Sequence, residues 1–114
     1  MNRLSPISAI VILLAVLASG ASARICPQIV RPVCALTKAH QLGTFNNACM
    51  AVSAGATVLH QNECFGTHCT HIITNGGVCA RSAISGKVKW YDNVCWAEKD
   101  WAIFLRNGPA SSCH

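Results

Sequence analysis

The fold of this chain is decided by one short stretch, Cys26-Pro27-Gln28-Ile29-Val30-Arg31-Pro32-Val33-Cys34. Its two cysteines enclose seven residues, and a proline stands near each end of the enclosed segment. Proline fixes its own φ at about −65°, and a β-branched residue such as Val30 favours extended backbone. We therefore expect a stiff, extended loop that is tethered at both ends. The alternative interpretation is that Pro27 and Pro32 are ordinary turn residues.

The chain repeats this cysteine arrangement once. Its eight cysteines form two sets of four, with 7, 14 and 14 intervening residues in the first set and 9, 15 and 17 in the second. The text around them recurs as well, since Phe45-Asn46-Asn47-Ala48-Cys49 corresponds to Tyr91-Asp92-Asn93-Val94-Cys95. Agreement of spacing and residue type indicates an internal repeat. We predict a first module at residues 24–64 and a second module at residues 69–114, joined by a four-residue linker.

The first 23 of the 114 residues differ in character from the rest. A nearly continuous aliphatic run from Ile7 to Leu17 precedes Ala21-Ser22-Ala23, a small-residue cleavage pattern. This pattern is typical of a secretory signal peptide. The run is too short for a membrane anchor, which needs about 20 apolar residues. We expect a signal peptide at residues 1–23 and a secreted, extracellular protein whose cysteines pair in an oxidising compartment.

The charged residues argue against several function classes. Nine Lys and Arg stand against four Asp and Glu, a formal net charge of +5. The basic residues are scattered without interleaved aromatic residues, so we expect no nucleic-acid binding.

The sequence offers little for metal binding or catalysis. Cys64, Cys69 and His71 are of metal-ligand type, but paired cysteines offer no thiolate, so we expect no metal site. So small a disulfide scaffold has little room for a substrate cleft, and we expect neither an enzyme nor a cofactor.

The expected secondary structure has the same outline in both modules. In the first module, the expected strands are 30–35, 43–45 and 57–59. A helix over 48–54 is expected to begin after Asn46 or Asn47 as its cap. In the second module, strands are expected at 78–80 and 87–91, followed by a longer helix over 94–106 with Asp92 or Asn93 as its cap. Trp96 lies off the apolar stripe of this helix, which has helical spacing and consists of Val94, Ala97, Trp101, Phe104 and Leu105. The predicted fold class is small disulfide-rich α+β, each module packing a short helix against a small antiparallel sheet.

The cysteine loop and the segment after it have a counterpart in a known family. Seven residues between Cys26 and Cys34, with Pro-Val before the second cysteine, resemble the reactive-site segment of Kazal-type serine protease inhibitors. The stretch Thr44-Phe45-Asn46-Asn47-Ala48-Cys49 resembles that family's Thr-Tyr-x-Asn-x-Cys, and residues 55–64 look like its closing strand and last cysteine. The resemblance covers the whole first module and extends through the repeat, more weakly, to the second.

The resemblance implies a disulfide pairing. A Kazal domain normally carries six cysteines, bridged first to fifth, second to fourth and third to sixth. Here no cysteine precedes Cys26, and Val52 stands where the fifth is expected. The two missing cysteines are partners of each other in the family, so one complete bridge is absent. The implied pairs are Cys26–Cys49, Cys34–Cys64, Cys69–Cys95 and Cys79–Cys113.

The resemblance also implies a function, the inhibition of an extracellular serine protease by a rigid, substrate-like loop. The implied reactive loop consists of Pro27, Gln28, Ile29, Val30, Arg31 and Pro32. By the family's register Gln28 is the P1 residue, which enters the S1 pocket of the protease, and Gln28–Ile29 is the bond that is presented. Asn47 matches the asparagine that supports the loop, with helix capping as the alternative role. Because Gln28 suits neither an acidic pocket nor a deep apolar one, the target is not expected to be a typical trypsin.

The second module offers a less convincing loop. By the same register it consists of Thr70, His71 and Ile72, with His71 as P1. Asn93 matches Asn47 as the supporting asparagine, with helix capping as its alternative role. Gly76-Gly77 adds flexibility where an inhibitor needs stiffness, so we expect inhibition mainly from the first module. The missing bridge and Gln28 favour an alternative, a non-inhibitory secreted Kazal-like protein that binds an extracellular receptor or channel. A cationic antimicrobial protein is a third hypothesis, but no basic amphipathic face supports it.

Overall fold

A computed structural model of the chain describes residues 25–114. The predicted signal peptide lies outside this range. No helix within the range is both long enough and apolar enough to cross a bilayer. In chain order the elements are β1 (Val33–Leu36), β2 (Leu42–Phe45), α1 (Ala48–Ser53), β3 (Thr57–Gln61), β4 (Val78–Ser82), β5 (Val88–Tyr91), α2 (Val94–Lys99), β6 (Ala102–Asn107) and a 3-10 turn (Ala110–Ser112).

Two three-stranded antiparallel sheets organise the described chain. The strand orders are β2-β1-β3 and β5-β4-β6, so each sheet has its first strand in the centre. Each central strand also breaks register with the third strand at its cysteine, between Cys34 and Ala35 and between Cys79 and Ala80. With two short helices and four disulfides, the protein is a small disulfide-rich α+β fold, and the internal repeat of the sequence is a repeat of structure.

Each helix packs on its own sheet through very small side chains. The first buried cluster consists of Val33, Ala35, Ala51 and Ala56. The second consists of the corresponding residues Val78, Ala80, Ala97 and Ala102. Alanine at the contact lets a helix lie close to a sheet, but it buries little apolar area. Cores this small rarely hold a domain together, so the bridges are required for folding.

Four disulfides join segments of the chain that the two small cores do not hold together. The pairs are Cys26–Cys49, Cys34–Cys64, Cys69–Cys95 and Cys79–Cys113, the same four that the resemblance implies. In each half, one bridge ties the start of the loop to the helix and the other ties the central strand to the end of the half. A bridge that closes 23 to 34 residues stabilises the fold by about 3–4 kcal/mol, mainly by restricting the unfolded chain.

The prediction of a long helix over 94–106 is wrong. Helix α2 ends at Lys99, and Ala102–Asn107 forms strand β6 on β4. Trp101 takes a φ of 55°, a left-handed conformation that ends the helix just as Gly55, with a φ of 77°, does in the first half. Phe104, which fitted a helical stripe, packs against the second core from the strand. Periodicity alone cannot separate short apolar helices from strands, and pairing with β4 decides the outcome here.

The first strand also differs from its prediction. Strand β1 begins at Val33, so residues 30–32, which were expected to open the strand, belong to the loop. Residues 48–53 form the expected first helix, which ends one residue early. The loop therefore extends from Cys26 to Pro32 before the sheet begins, and it runs next to the first turn of α1.

Candidate functional site

The loop of the first half is held by one buried asparagine. Asn47 is the N-cap of α1, and its Oδ1 accepts a hydrogen bond from the Met50 N–H at 2.9 Å. Its Nδ2 donates two bonds to the loop, to Pro27 O at 3.1 Å and to Ile29 O at 2.8 Å. All three partners agree on one orientation of the amide, since a carbonyl only accepts and an N–H only donates. Asn47 therefore caps the helix and holds the loop at the same time.

The two loop carbonyls lie on either side of Gln28. Pro27 O belongs to the peptide group before Gln28, and Ile29 O belongs to the peptide group after Ile29. The two bonds therefore hold the backbone on both sides of the Gln28–Ile29 bond, while the Gln28 side chain stays exposed. The Cys26–Cys49 bridge attaches the start of the loop to the residue two positions beyond Asn47. At the far end, Arg31 N–H donates to Asn46 O at 2.8 Å, and Asn62 N–H donates to Pro32 O at 2.7 Å. The backbone from residue 26 to residue 32 is thus held at several points.

The exposed side chains of this loop are mainly apolar beyond Gln28. Ile29 and Val30 are 53% and 71% exposed. Two neighbouring aliphatic side chains on a fixed backbone can be buried by a partner at little cost in conformational entropy. Arg31 is exposed beside them and carries the only charge between Cys26 and Cys34. The loop offers a partner an apolar strip with one cation at its end.

The second half holds its loop in the same way. Asn93 is the N-cap of α2, and its Oδ1 accepts a long bond of 3.4 Å from the Trp96 N–H. Its Nδ2 donates to Thr70 O and to Ile72 O, both at 2.9 Å. These carbonyls flank His71 as the carbonyls of Pro27 and Ile29 flank Gln28. No hydrogen bond among residues 25–114 joins one loop to the other, so the two sites are separate clusters.

Trp96 supplies a contact in the second half that has no counterpart in the first. Its Nε1–H donates to Thr70 O at 2.8 Å, and its ring stacks on the His71 ring with centroids 4.9 Å apart. His71 Nδ1 also donates to Asp92 Oδ2 at 3.3 Å. The corresponding position of the first half is Met50, which has no donor in its side chain. The role of Trp96 was not predicted from the sequence. The one signal for it is the replacement of Met50 by a residue with a side-chain donor at the corresponding position of the repeat.

A buried pair of side chains joins the two halves. His60 on β3 and Glu98 on α2 lie 2.7 Å apart, from Nε2 to Oε1, and their side chains are 4% and 0% exposed. Glu98 also accepts from Phe65 N–H through both oxygens, at 3.0 and 3.1 Å. His60 Nδ1 lies 2.6 Å from Gln61 O, and because a carbonyl oxygen only accepts, this nitrogen carries a proton. The hydrogen bond between His60 Nε2 and Glu98 Oε1 then requires a second proton, shared by these two atoms. The pair is electrically neutral as a whole, and its partners are satisfied.

Glu98 also lies near the Cys34–Cys64 bridge. The two sulfurs and a Glu98 carboxylate oxygen lie within 4.8 Å of one another. Both sulfurs are in a disulfide, so neither is a thiolate that could bind a metal. Cys64 and Cys69, which are of metal-ligand type in the sequence, are likewise bridged to other cysteines. The chemistry available to Glu98 is hydrogen bonding across the interface.

Tyr91, beside the second loop, has a shifted titration. Its hydroxyl donates to Asp100 Oδ2 at 2.9 Å, and Lys89 Nζ lies 5.5 Å from its ring centroid. Burial raises the pKa of Tyr91 to about 12, and the hydrogen bond to Asp100 and the charge of that carboxylate act in the same direction. The phenol stays neutral under physiological conditions, and its hydrogen bond to Asp100 links β5 to the C-terminal end of α2.

Comparisons of the chain with protein-family models, with curated proteins and with solved structures found no match. The two loops, their asparagines and the contacts around them are the features of the molecule that bear on its function.

Proposed function

We propose that this protein is a secreted serine protease inhibitor built from two Kazal-like modules, and that it acts mainly through the loop of the first module. The observation that carries the proposal is the double hydrogen bond from Asn47 Nδ2 to the carbonyls on either side of Gln28. A helix cap alone needs only the Oδ1 atom of Asn47. The two further bonds hold the loop backbone on both sides of the Gln28–Ile29 bond, and a protease-binding loop needs this rigidity.

The mechanism follows from this rigidity. A protease binds an extended segment and attacks the carbonyl of its P1 residue, here Gln28, with its nucleophile. Because the loop is already extended and tethered, little conformational entropy is lost on docking. After attack, the Asn47 bond to Ile29 O and the Arg31 bond to Asn46 O keep the new amino terminus close to the acyl group. Religation is then favoured over release, and the protease stays occupied.

The side chains of the loop indicate the kind of protease. Gln28 brings neither a charge for an acidic S1 pocket nor a large apolar group for a deep slot. Ile29 and Val30 offer apolar area on the other side of the bond, and burying such a side chain is worth about 1.5–3 kcal/mol. We infer a partner whose subsites beyond the cleaved bond are apolar and whose S1 pocket accepts an uncharged polar residue. A typical trypsin does not fit.

A change of P1 residue tests whether the loop is competent. In the oxidised protein, Gln28→Leu should create inhibition of a chymotrypsin-like enzyme, and Gln28→Arg should create inhibition of trypsin. Adding Asn47→Ser keeps a good helix cap but removes both Nδ2 donors, so it should weaken either inhibitor by at least about tenfold, the equivalent of one or two lost hydrogen bonds. Absence of inhibition with both P1 variants would overturn the proposal.

The alternative function keeps the loop but changes its partner. A fixed backbone that presents Ile29 and Val30 also suits a non-inhibitory secreted ligand that docks this strip on an extracellular receptor or channel. In that case the Gln28 variants inhibit no protease. Binding of the protein to cells would instead fall when Ile29 and Val30 are both replaced by serine.

A further inference from the structure

The second loop carries the same hydrogen bonds as the first, in the same register. We infer that Thr70, His71 and Ile72 form a second, independent protease-binding site, and that His71 gives it a target different from that of the first loop. The inference rests on the proposed function of the first loop. It departs from the sequence-based expectation, which placed inhibition mainly in the first module because the second loop looked flexible.

The register of the support is the first argument. Asn93 Nδ2 reaches the carbonyls one residue before and one residue after His71, both at 2.9 Å. Asn47 Nδ2 reaches the same two positions around Gln28. In both halves a disulfide joins the cysteine that begins the loop to the residue two positions after the asparagine. The backbone on both sides of the His71–Ile72 bond is thus held as it is on both sides of the Gln28–Ile29 bond.

The glycines of the second loop do not loosen it. Gly77 is buried with a φ of 99°, and the Trp90 indole occupies the space that a Cβ on Gly77 would need. Trp90 Nε1–H donates to Gly76 O at 3.2 Å and to Gly108 O at 3.0 Å. Gly77 N–H donates to Thr74 O, and Gly108 N–H donates to Gly77 O. The two glycines make room for the Trp90 indole, which packs on them, and the expectation that Gly76-Gly77 is a flexible segment is wrong.

Trp96 adds a tether that the first loop lacks. Thr70 O accepts from Asn93 Nδ2 and also from Trp96 Nε1, at 2.9 and 2.8 Å. In the first half Pro27 O accepts from Asn47 at 3.1 Å, and Met50 contributes no side-chain donor. The peptide group that precedes the P1 residue is therefore held twice in the second loop. Trp96 is a positioning residue for this site.

The side chains of the second loop define its partner. Ile72 and Ile73 are 65% and 56% exposed and repeat the aliphatic strip of Ile29 and Val30. The P1 side chains differ, since Gln28 is a flexible amide and His71 is a flat ring, 80% exposed, that stacks on Trp96. The two loops thus share their requirement beyond the cleaved bond and differ in the S1 pocket that they fit. The second loop fits a serine protease whose S1 pocket is a slot for a flat ring.

The test compares the two loops in one protein. The full-length coding sequence is expressed in a secretory host, and the oxidised protein with four verified disulfides is titrated against a chymotrypsin-like enzyme, whose S1 slot takes a flat aromatic ring. His71→Tyr, with Gln28 unchanged, should strengthen inhibition about 100-fold. Adding Asn93→Ser, which keeps the helix cap, should remove most of this gain, and adding Trp96→Met should lower it about tenfold. The matched control Asn47→Ser should change it less than about threefold.

A first-loop variant, Gln28→Tyr, separates the inference from the proposed function. A gain with both His71→Tyr and Gln28→Tyr supports both. A gain with Gln28→Tyr alone overturns the second site and leaves the first intact. No gain with either overturns the proposed function and the inference together. Because His71→Tyr is read without any change at Asn93 or Trp96, a folding defect in those variants does not decide the result.

The native specificity needs its own measurement. Across a serine protease panel, every enzyme that the unmodified protein inhibits is tested again with Gln28→Gly and with His71→Gly. We expect at least one enzyme to escape only the His71→Gly variant, by a loss of about tenfold or more. If every inhibited enzyme depends on Gln28 alone, the second loop has no target of its own and the inference is wrong.

Discussion

Replacing His60 by leucine should destabilise the folded protein far more than the change in side-chain size suggests. His60 and Glu98 are almost fully buried between the two halves, and Glu98 has no other side-chain partner among the described contacts. Removing one member of such a pair leaves the other buried and unpaired, which typically costs about 3–5 kcal/mol. Domains of this size have total stabilities of about 5–15 kcal/mol, so the loss would be a large share of the whole.

The matched variants separate this cost from simple loss of contacts. Glu98→Gln can still accept from Phe65 N–H and donate to His60 Nε2, so it should cost no more than about 1–1.5 kcal/mol, one hydrogen bond's worth. The double variant His60→Leu with Glu98→Met replaces the pair by apolar groups, which is often nearly neutral. It should therefore be more stable than His60→Leu alone, by about 2 kcal/mol or more.

Guanidinium unfolding of the oxidised protein measures these differences. All three tryptophans, Trp90, Trp96 and Trp101, lie in the second half, so fluorescence reports on that half and far-UV circular dichroism reports on both. The two signals should coincide in the unmodified protein and separate in His60→Leu, because the halves then unfold independently. A His60→Leu cost below about 1 kcal/mol, or a double variant no more stable than His60→Leu alone, would refute a buried pair at this interface.

Three further predictions concern single residues. Tyr91 is the only tyrosine of the chain, so phenolate absorbance should titrate with a pKa of about 12, and Asp100→Asn should move the midpoint toward the ordinary value of about 10. Because the folded-state pKa of Tyr91 is raised, the stability that this residue contributes is present below pH 10 and is lost as the pH rises from about 10 to 12. The melting temperature should therefore fall more steeply over that pH range in the unmodified protein than in Tyr91→Phe. Gly77→Ala should lower the free energy of unfolding by denaturant by at least about 2 kcal/mol, because of the left-handed φ and the overlap with Trp90 together. The control Gly43→Ala meets only ordinary contacts and should stay within about 1 kcal/mol. Equal costs would contradict the packing of Trp90 against Gly77.

The parts of the fold that depend on cysteine spacing were accessible from the sequence. The repeat of the two cysteine sets predicted two similar halves. The polar residues before each helical segment narrowed its cap to two neighbours, Asn46 or Asn47 and Asp92 or Asn93, and the structure has Asn47 and Asn93 as the caps. The spacing alone left three pairings open within each set of four, and it was the resemblance that selected one of them. Short, local features with strong turn and cap preferences were therefore predictable.

The parts that depend on long-range contacts were not accessible. Residues 102–107 have an apolar content that fits a helix and a strand equally well, and only the partner strand β4 decides between them. His60 and Glu98 are 38 residues apart and belong to different halves, so no local pattern links them. The Gly76-Gly77 pair looked flexible because the tryptophan that covers it lies 13 residues away from Gly77, on another strand.

The central claim is that the loop around Gln28 is a protease-binding loop, and one titration tests it most directly. The oxidised protein, secreted from the full-length coding sequence, is titrated against subtilisin-, elastase-, chymotrypsin- and trypsin-like enzymes, while mass spectrometry follows cleavage. We predict tight inhibition of at least one enzyme, weak or no inhibition of trypsin, and slow cleavage of the single bond Gln28–Ile29 in the first module. Rapid cleavage at many bonds, or indifference to every enzyme, would contradict the claim.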